Sequence, residues 1–334
     1  MKLLVTGGAG FIGSNFIHYW LREHPEDQIV NLDVLTYAGH LESLRDVEGN
    51  PNYTFIKGDI TDEEVVKRAM EGIDTVVHFA AESHVDRSNV NPIPFAKTNE
   101  LGTVTLLYYA RLAKVKRFHH ISTDEVYGDL KLDDPPFNEN TPYNPHTHYA
   151  ASKAGSDLHA KAEFEAHKLP ITVTNCANNY GPYQDPEKLI PRFITNLLQG
   201  QKVPLMGEGA EIREWLHVED HCRGIDLVLR KGKPGETYLL QGEERTNLEV
   251  TRAILKHLRL GEDMIEPVES RLSHDFRYAN DGTKIMELGW VREHSFEEGL
   301  KEVIKWYQEN RSWWEGLKQG RPNVDREAQE SYGG

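Results

Sequence analysis

Leu3-Leu4-Val5-Thr6-Gly7-Gly8-Ala9-Gly10-Phe11-Ile12-Gly13 opens the chain with an apolar run that passes through clustered glycines into an amphipathic stretch. The order reads as strand, tight turn and helix, with the strand over 3–6 and the helix over 11–23. In the spacing Gly7-x-x-Gly10-x-x-Gly13, glycines permit the tight turn, close backbone approach to a pyrophosphate, and close packing of helix on sheet. The helix start, at Phe11 and Ile12, offers unpaired N–H groups and partial positive charge to phosphates. Alone, such a cluster is also compatible with an ordinary strand–helix turn. Asp33 lies about 20 residues on, at the end of the next predicted strand, where an acid can bond both hydroxyls of an adenosine ribose and repel a 2′-phosphate. The expectation is a dinucleotide site, with NAD favoured over NADP.

Outward from this turn, short apolar runs alternate with helical patterns. Residues 3–6, 29–33, 53–57, 75–80 and 117–123 read as strands; 11–23, 62–71 and 94–113 read as helices. Strand alternating with helix predicts an α/β fold, a Rossmann-like doubly wound parallel sheet with ligands at the carboxyl ends of its strands. A further strand is expected over 171–178. Beyond Gly181-Pro182 the pattern loosens, with helices over 187–198, 218–229, 248–258 and 296–307. The reading is a nucleotide-binding domain over 1–180, a smaller discontinuous α/β substrate lobe over 181–317, and a polar tail over 318–334.

Composition narrows the function. The chain has 334 residues, with 38 Lys and Arg against 53 Asp and Glu, a net charge of −15. Such a balance argues against a nucleic-acid partner, which needs a basic face. No apolar run approaches the roughly 20 residues that span a bilayer, so no membrane partner is expected. Gly7 cuts the opening run too short for a signal peptide. Two cysteines, Cys176 and Cys222, suit a reducing cytoplasm, and they cannot make a cysteine-rich zinc site; no metal is expected.

Tyr149-Ala150-Ala151-Ser152-Lys153 puts a phenol and an ammonium on one helix face, where the ammonium favours phenolate and lowers the tyrosine pKa. Such pairs are common on solvated helices, and specificity comes from the glycine loop and from Thr123 at a strand end. Asp59 follows the third strand, either beside an adenine or as a loop acid or cap. Ala80 and Ala81 are small where a cofactor would lie against backbone.

Together, Gly7–Gly13, Asp33, Thr123, Tyr149 and Lys153 resemble the extended short-chain dehydrogenase/reductase family. Ser122-Thr123-Asp124-Glu125-Val126-Tyr127-Gly128 is similar to its nucleotide-sugar 4,6-dehydratase subgroup. Phe79-Ala80-Ala81-Glu82-Ser83-His84-Val85-Asp86 and Pro186-Glu187-Lys188-Leu189-Ile190-Pro191 extend the match. Similar C4-epimerases have small residues where this chain has Asp124 and Glu125; a dehydratase needs one base and one acid there. The competing reading is that Thr123-Asp124-Glu125 only caps a helix.

The resemblance implies oxidation of dTDP-glucose at C4, loss of water across C5 and C6, and hydride return to C6 by bound NAD. UDP-glucose is the alternative substrate, and an epimerase or simple dehydrogenase the alternative enzyme. It implies Tyr149, Thr123 and Lys153 at C4, Glu125 as base at C5 and Asp124 as acid at the C6 oxygen. Thr36, Ile60, Ser83, Thr98, Ser122 and Asn178 join the cofactor set. Ser83, His84, Thr123, Asn178, Glu187, Lys188, Leu189, Arg213, Asn247, Arg271, His274 and Tyr278 are the implied nucleotide-sugar contacts. A homodimer is implied through residues 94–113 and 147–167. Val34, His148, Gln184-Asp185 and Leu272-Ser273 depart from the family pattern.

Overall fold

The computed structural model describes residues 1–269 and 275–318. Its strands are β1 (Lys2–Thr6), β2 (Gln28–Asp33), β3 (Tyr53–Lys57), β4 (Thr75–His78), β5 (Arg117–Thr123), β6 (Ile171–Cys176), β7 (Asn178–Tyr180), β8 (Val203–Met206), β9 (Ile212–His217), β10 (Thr237–Leu240), β11 (Glu243–Thr246) and β12 (Ile265–Val268). Seven form one sheet in the order β10-β6-β5-β4-β1-β2-β3. Every neighbouring pair in it is parallel. The chain crosses from β3 back past β1 to β4, so the carboxyl ends of β1 and β4 flank a crevice at the switch point.

Alternation along the strands explains the two covered faces. Leu4, Val30, Val76 and Phe118 point to one side, where Leu106, Leu107 and Ala110 of α2 (Thr103–Ala113) and Ala160 of α3 (His148–His167) cover them. Leu3, Val5, Ile29 and Val77 point to the other. There Phe16, Ile17 and Trp20 of α1 (Phe11–Glu23) meet Cys222, Ile225 and Leu229 of α4 (Val218–Lys231).

Three predicted elements differ in detail. The fourth strand ends at His78, freeing Phe79 and Ala80 to line the crevice. The run 171–178 is two strands broken at Ala177, and the second, β7, joins a separate sheet in the order β11-β9-β7. The helix expected over 94–113 is interrupted by a π-helical turn over Ala96–Gly102. Gly102 packs so tightly that a Cβ would lie 2.5 Å from Ile60 Cδ1. The turn also presents Asn99, whose amide bonds the Glu82 backbone and Ser152.

The chain after Tyr180 serves both regions: β10 and α4 complete the large sheet and its cover. The three-stranded sheet, a parallel β12–β8 pair, and helices over Leu189–Leu198, Asn247–Leu258, Phe296–Glu309 and Arg311–Lys318 surround a second apolar core. Trp314, fully buried there, donates Nε1–H to the Tyr307 carbonyl at 2.7 Å. No helix of the described residues is long and apolar enough to cross a membrane.

Candidate active site

A cleft of about 990 Å³ runs along the carboxyl ends of the strands. At one end the glycine loop adopts the conformation that its sequence implies. Gly7 sits at φ +71°, and a Cβ there would meet the Ala80 nitrogen at 2.5 Å; a Cβ on Gly13 would meet the Gly7 carbonyl oxygen at 2.3 Å. No larger residue fits at either place. Gly10 caps α1 without a side chain, and the first turn has no acidic residue. The first-turn N–H groups therefore lack a side-chain acceptor and face the cleft, the arrangement that suits a pyrophosphate. Asp33, buried at the end of β2, accepts N–H from Ala9 at 2.9 Å and from Leu35 at 2.8 Å. Burial raises its pKa despite these donors. A dinucleotide fits these residues.

Thr36, Asp59, Ile60, Ala80, Ala81, Ser83, Thr98, Ser122 and Asn178 also line the cleft. Asp59 has a structural partner as well: Oδ1 accepts from the Thr61 N–H and hydroxyl at 2.8 and 2.9 Å.

The chemistry-bearing side chains come from the end of β5 and the start of α3. Thr147 caps α3 through the Ala150 N–H, fixing the register of Tyr149 one turn before Lys153. Lys153 Nζ donates to the Ile121 carbonyl at 2.7 Å. Tyr149 bonds Thr123, but its phenol is pushed well above the ordinary value, chiefly by burial and next by the Glu125 carboxyl. The lowering expected from Lys153 is not found: the ammonium is turned to a backbone oxygen, and burial outweighs it.

Thr123 does cap, accepting the Glu125 N–H at 3.3 Å at the head of a 3₁₀ turn, Asp124–Tyr127. The two acids are directed elsewhere. Glu125 lines the cleft, whereas Asp124 lies behind it, with Oδ2 accepting from Asn280 Nδ2 at 3.0 Å. Burial is the main cause that raises both to about 7; the charge of Asp124 adds to the shift of Glu125, and Lys188 and Arg213 oppose it. A carboxyl poised near neutrality in the cleft wall, with a second directly behind it, suits proton transfer in both directions.

His84, Glu187, Lys188, Arg213 and Tyr278 line the other end of the cleft. Lys188 Nζ donates to the Ser83 carbonyl at 2.9 Å, and Glu187 pairs with Arg87 at 2.8 Å. The Arg213 guanidinium stacks on Tyr278 at 4.5 Å and donates to the Asp275 carbonyl at 2.8 Å. Leu189 and Asn247 do not line the cleft; Asn247 begins a helix and donates to Glu211 at 3.3 Å. Arg271 and His274, with Leu272 and Ser273, lie outside the described residues. Sequence reasoning missed Tyr37, Glu82 and Asp275 in the lining, and Asn280 behind it. Tyr37 and Glu82 adjoin Thr36, Ala81 and Ser83, which the sequence did place in the site; Asp275 and Asn280 are brought in only by long-range packing.

His217, His294 and Glu302 gather ligand-capable atoms within 4.8 Å of one another elsewhere. The His217 Nδ1 lone pair accepts the Glu219 N–H at the head of α4, which leaves the ring proton on the other nitrogen. That ring is committed to capping.

A phosphate-cradling glycine loop, an acid at the next strand end and a Tyr–Lys helix around one crevice define the short-chain dehydrogenase/reductase class. The family model described as GDP-mannose 4,6 dehydratase matches residues 4–303. The dTDP-glucose 4,6-dehydratase of Mycobacterium tuberculosis is 51% identical over 322 residues, covering 95% of this chain and 96% of that one. The dTDP-glucose 4,6-dehydratase of Streptomyces venezuelae, solved with NAD bound, superposes with a TM-score of 0.92 at 50% identity, over 95% of this chain and all 100% of that one. That of Bacillus anthracis, in complex with NAD, gives 0.90 at 45% identity, with the same coverage of 95% and 100%. This chain belongs to the NAD-dependent nucleotide-sugar 4,6-dehydratase family.

Proposed function

We propose that this chain converts dTDP-glucose to dTDP-4-keto-6-deoxyglucose, using an NAD that stays bound through the cycle. The observation that carries the reading is the pair Asp124 and Glu125, directly after Thr123 at the end of β5, both raised to about 7 and packed beside Tyr149. NAD, when bound, supplies reversible acceptance of hydride; the first-turn N–H groups of α1, Asp33 and Lys153 would hold it. Tyr149, bonded to Thr123 and four residues from Lys153, takes the proton of the C4 hydroxyl as its phenolate; the positive charges of Lys153 and of a bound nicotinamide would oppose the burial that raises its pKa. With C4 a ketone, the C5 proton becomes acidic and Glu125 removes it. Asp124, held behind the cleft wall by Asn280, has to turn into the cleft to protonate the C6 hydroxyl, which leaves as water. Base and acid exchange protonation states; Glu125 then returns its proton to C5 while the hydride taken from C4 would go back to C6, which gives the 6-deoxy product. An epimerase has no use for this second pair.

The cleft end at Lys188, Arg213 and Tyr278 is the proposed nucleoside-diphosphate side: two cations and an aromatic face suit phosphates and a base. The lobe built from the chain after residue 180 is read as the substrate lobe. We also propose a homodimer. Leu101, Val104, Tyr108 and Leu112 fall on one face, 36–52% exposed, and Leu158 of neighbouring α3 is 57% exposed. A second copy packing these helices against their equivalents would bury the stripe. Cys176 and Cys222, buried and free, suit a reducing cytoplasm.

Supplying dTDP-glucose and UDP-glucose separately, without added NAD, tests the reading through the alkaline absorbance of a 4-keto sugar. Product is expected from both, with higher kcat/KM for dTDP-glucose. Free NADH accumulating in step with product would replace the dehydratase by a dehydrogenase. Equal or better use of UDP-glucose would overturn only the base preference.

A further inference from the structure

The loops that follow β2 and β4 meet although their strands do not. β1 lies between those strands in the sheet, so a contact between the two loops spans the carboxyl end of β1, where the glycine loop begins. Tyr37, shortly after Asp33, comes from the first loop. Arg87, on the helical turn Val85–Val90, comes from the second. The Arg87 guanidinium lies over the Tyr37 ring at 4.1 Å, and the Tyr37 phenol faces the Glu82 carboxyl. Gly7, Gly10 and Ile12 line the same cleft as Tyr37 and Glu82. Both ends of this bridge are anchored. Arg87 reaches on to Glu187 at 2.8 Å, in the chain after residue 180. Asp185, in the same turn, meets the His40 ring at 3.3 Å, and the His40 N–H donates to the Ala9 carbonyl in the glycine loop at 2.8 Å. Buried Ser88 accepts the Tyr149 N–H at 3.1 Å, which fixes the turn bearing Arg87 against α3. A planar guanidinium suits this place, because it can stack on a ring and hold a carboxylate at once.

We propose that Arg87 is a positioning residue for the cofactor: it pins Tyr37 across the glycine loop, and the resulting bridge bars the exit of bound NAD. Arg87 acts through Tyr37 and Glu187. Exposed ion pairs contribute little, but the side chains of Arg87 and Glu187 are only 30% and 14% exposed, so water screens them less. The bridge is a barrier and not a binding contact, so it slows entry and exit alike and leaves affinity nearly unchanged. A cycle in which one cofactor must give back the hydride it took gains from slow release. The proposal rests on NAD as the bound dinucleotide and holds for any sugar nucleotide.

The test follows NAD release from the full chain. Protein loaded with isotope-labelled NAD is diluted into excess unlabelled NAD, with no sugar present, and the label that stays with the protein is measured over time. Arg87→Ala should speed loss of label by roughly tenfold, the size expected for a half-buried cation–ring contact and its ion pair. Occupancy at equilibrium with a low, fixed NAD concentration should match wild type. Arg87→Lys, which keeps the charge but not the planar stack, should fall between. Tyr37→Leu should match Arg87→Ala, and the two together should release no faster than either alone, because each removes the same bridge. Release at the wild-type rate in Arg87→Ala would overturn the proposal. So would occupancy that falls in step with faster release, the mark of a direct contact or a loosened fold. If Arg87→Ala does not fold, Tyr37→Leu decides, and release there at the wild-type rate would overturn the proposal. With no sugar nucleotide in the assay, none of these outcomes depends on which one the chain uses.

Discussion

Lys153 Nζ donates to the carbonyl oxygen of Ile121 at 2.7 Å, tying the helix that bears Tyr149 to the strand that ends in Thr123, Asp124 and Glu125. The two halves of the site come from segments about one βα unit apart, and this buried charged contact sets their spacing. Burial lowers the Lys153 pKa and Asp157 opposes the shift, so the ammonium is held by partners rather than by solvent. Lys153→Met should slow C4 oxidation by roughly 100-fold in single turnover. An unchanged rate of NADH appearance would remove Lys153 from the site.

The acid pair should separate by step. Glu125→Gln keeps its size and loses the base, so C4 oxidation survives while elimination slows by roughly 100-fold or more. NADH and a 4-keto-glucose species then build up with little solvent deuterium at C5. Asp124→Asn should also allow oxidation, but with C5 exchange retained, and Tyr149→Phe should leave the cofactor oxidised. Normal turnover in both acid variants would leave Thr123-Asp124-Glu125 with a capping role only.

Elimination needs Glu125 ionised and Asp124 protonated, and both are raised to about 7. Activity should fall below neutrality as Glu125 takes up a proton and fall above it as Asp124 loses one. The kcat profile is expected to be a narrow bell centred near pH 7, whose limbs belong to the coupled pair. A flat profile from acid to alkaline pH would contradict this.

Asp33 is bound by the Ala9 and Leu35 N–H groups, so it shapes the glycine loop as well as facing the ribose position. Purified protein should contain NAD, and Asp33→Asn should lose most of it, because the amide exchanges an acceptor for a donor against those N–H groups. Cofactor released on denaturation and measured by absorbance is the readout. Full retention would show that Asp33 has no part in holding it.

Buried His78 and His119 are held neutral, well below their usual pKa, by desolvation. An unfolded chain binds protons at these sites below about pH 6.5, and the native state does not. Their contribution to stability is present above that pH and is lost as pH falls. The Tm should decline from pH 7 to pH 5, less steeply in His119→Gln if the fold is retained. No difference in slope would rule out that contribution.

Leu112→Glu with Tyr108→Glu should yield monomers by light scattering, since each places a charge in the exposed stripe. Dimers of unchanged stability would move the interface elsewhere.

Local chemistry is the part legible in the sequence. Gly7, Gly10 and Gly13 specify their turn because only glycine fits it, and Asp33 and Tyr149/Lys153 follow at fixed offsets along single elements. Strand and helix periodicity was enough to define the parallel sheet, since each face must be covered. Tertiary structure alone decided which distant loops meet at the cleft. Asp124 looked like Glu125 in sequence, yet one is buried behind the wall and the other lines it, because Asn280, 156 positions away, draws the first inward. The expected lowering at Tyr149 failed for a similar reason: helix spacing brings Lys153 near, but burial and the neighbouring carboxyl depend on the whole fold. Hydrogen-bond partners and desolvation are properties of packing, and no spacing within one segment encodes them.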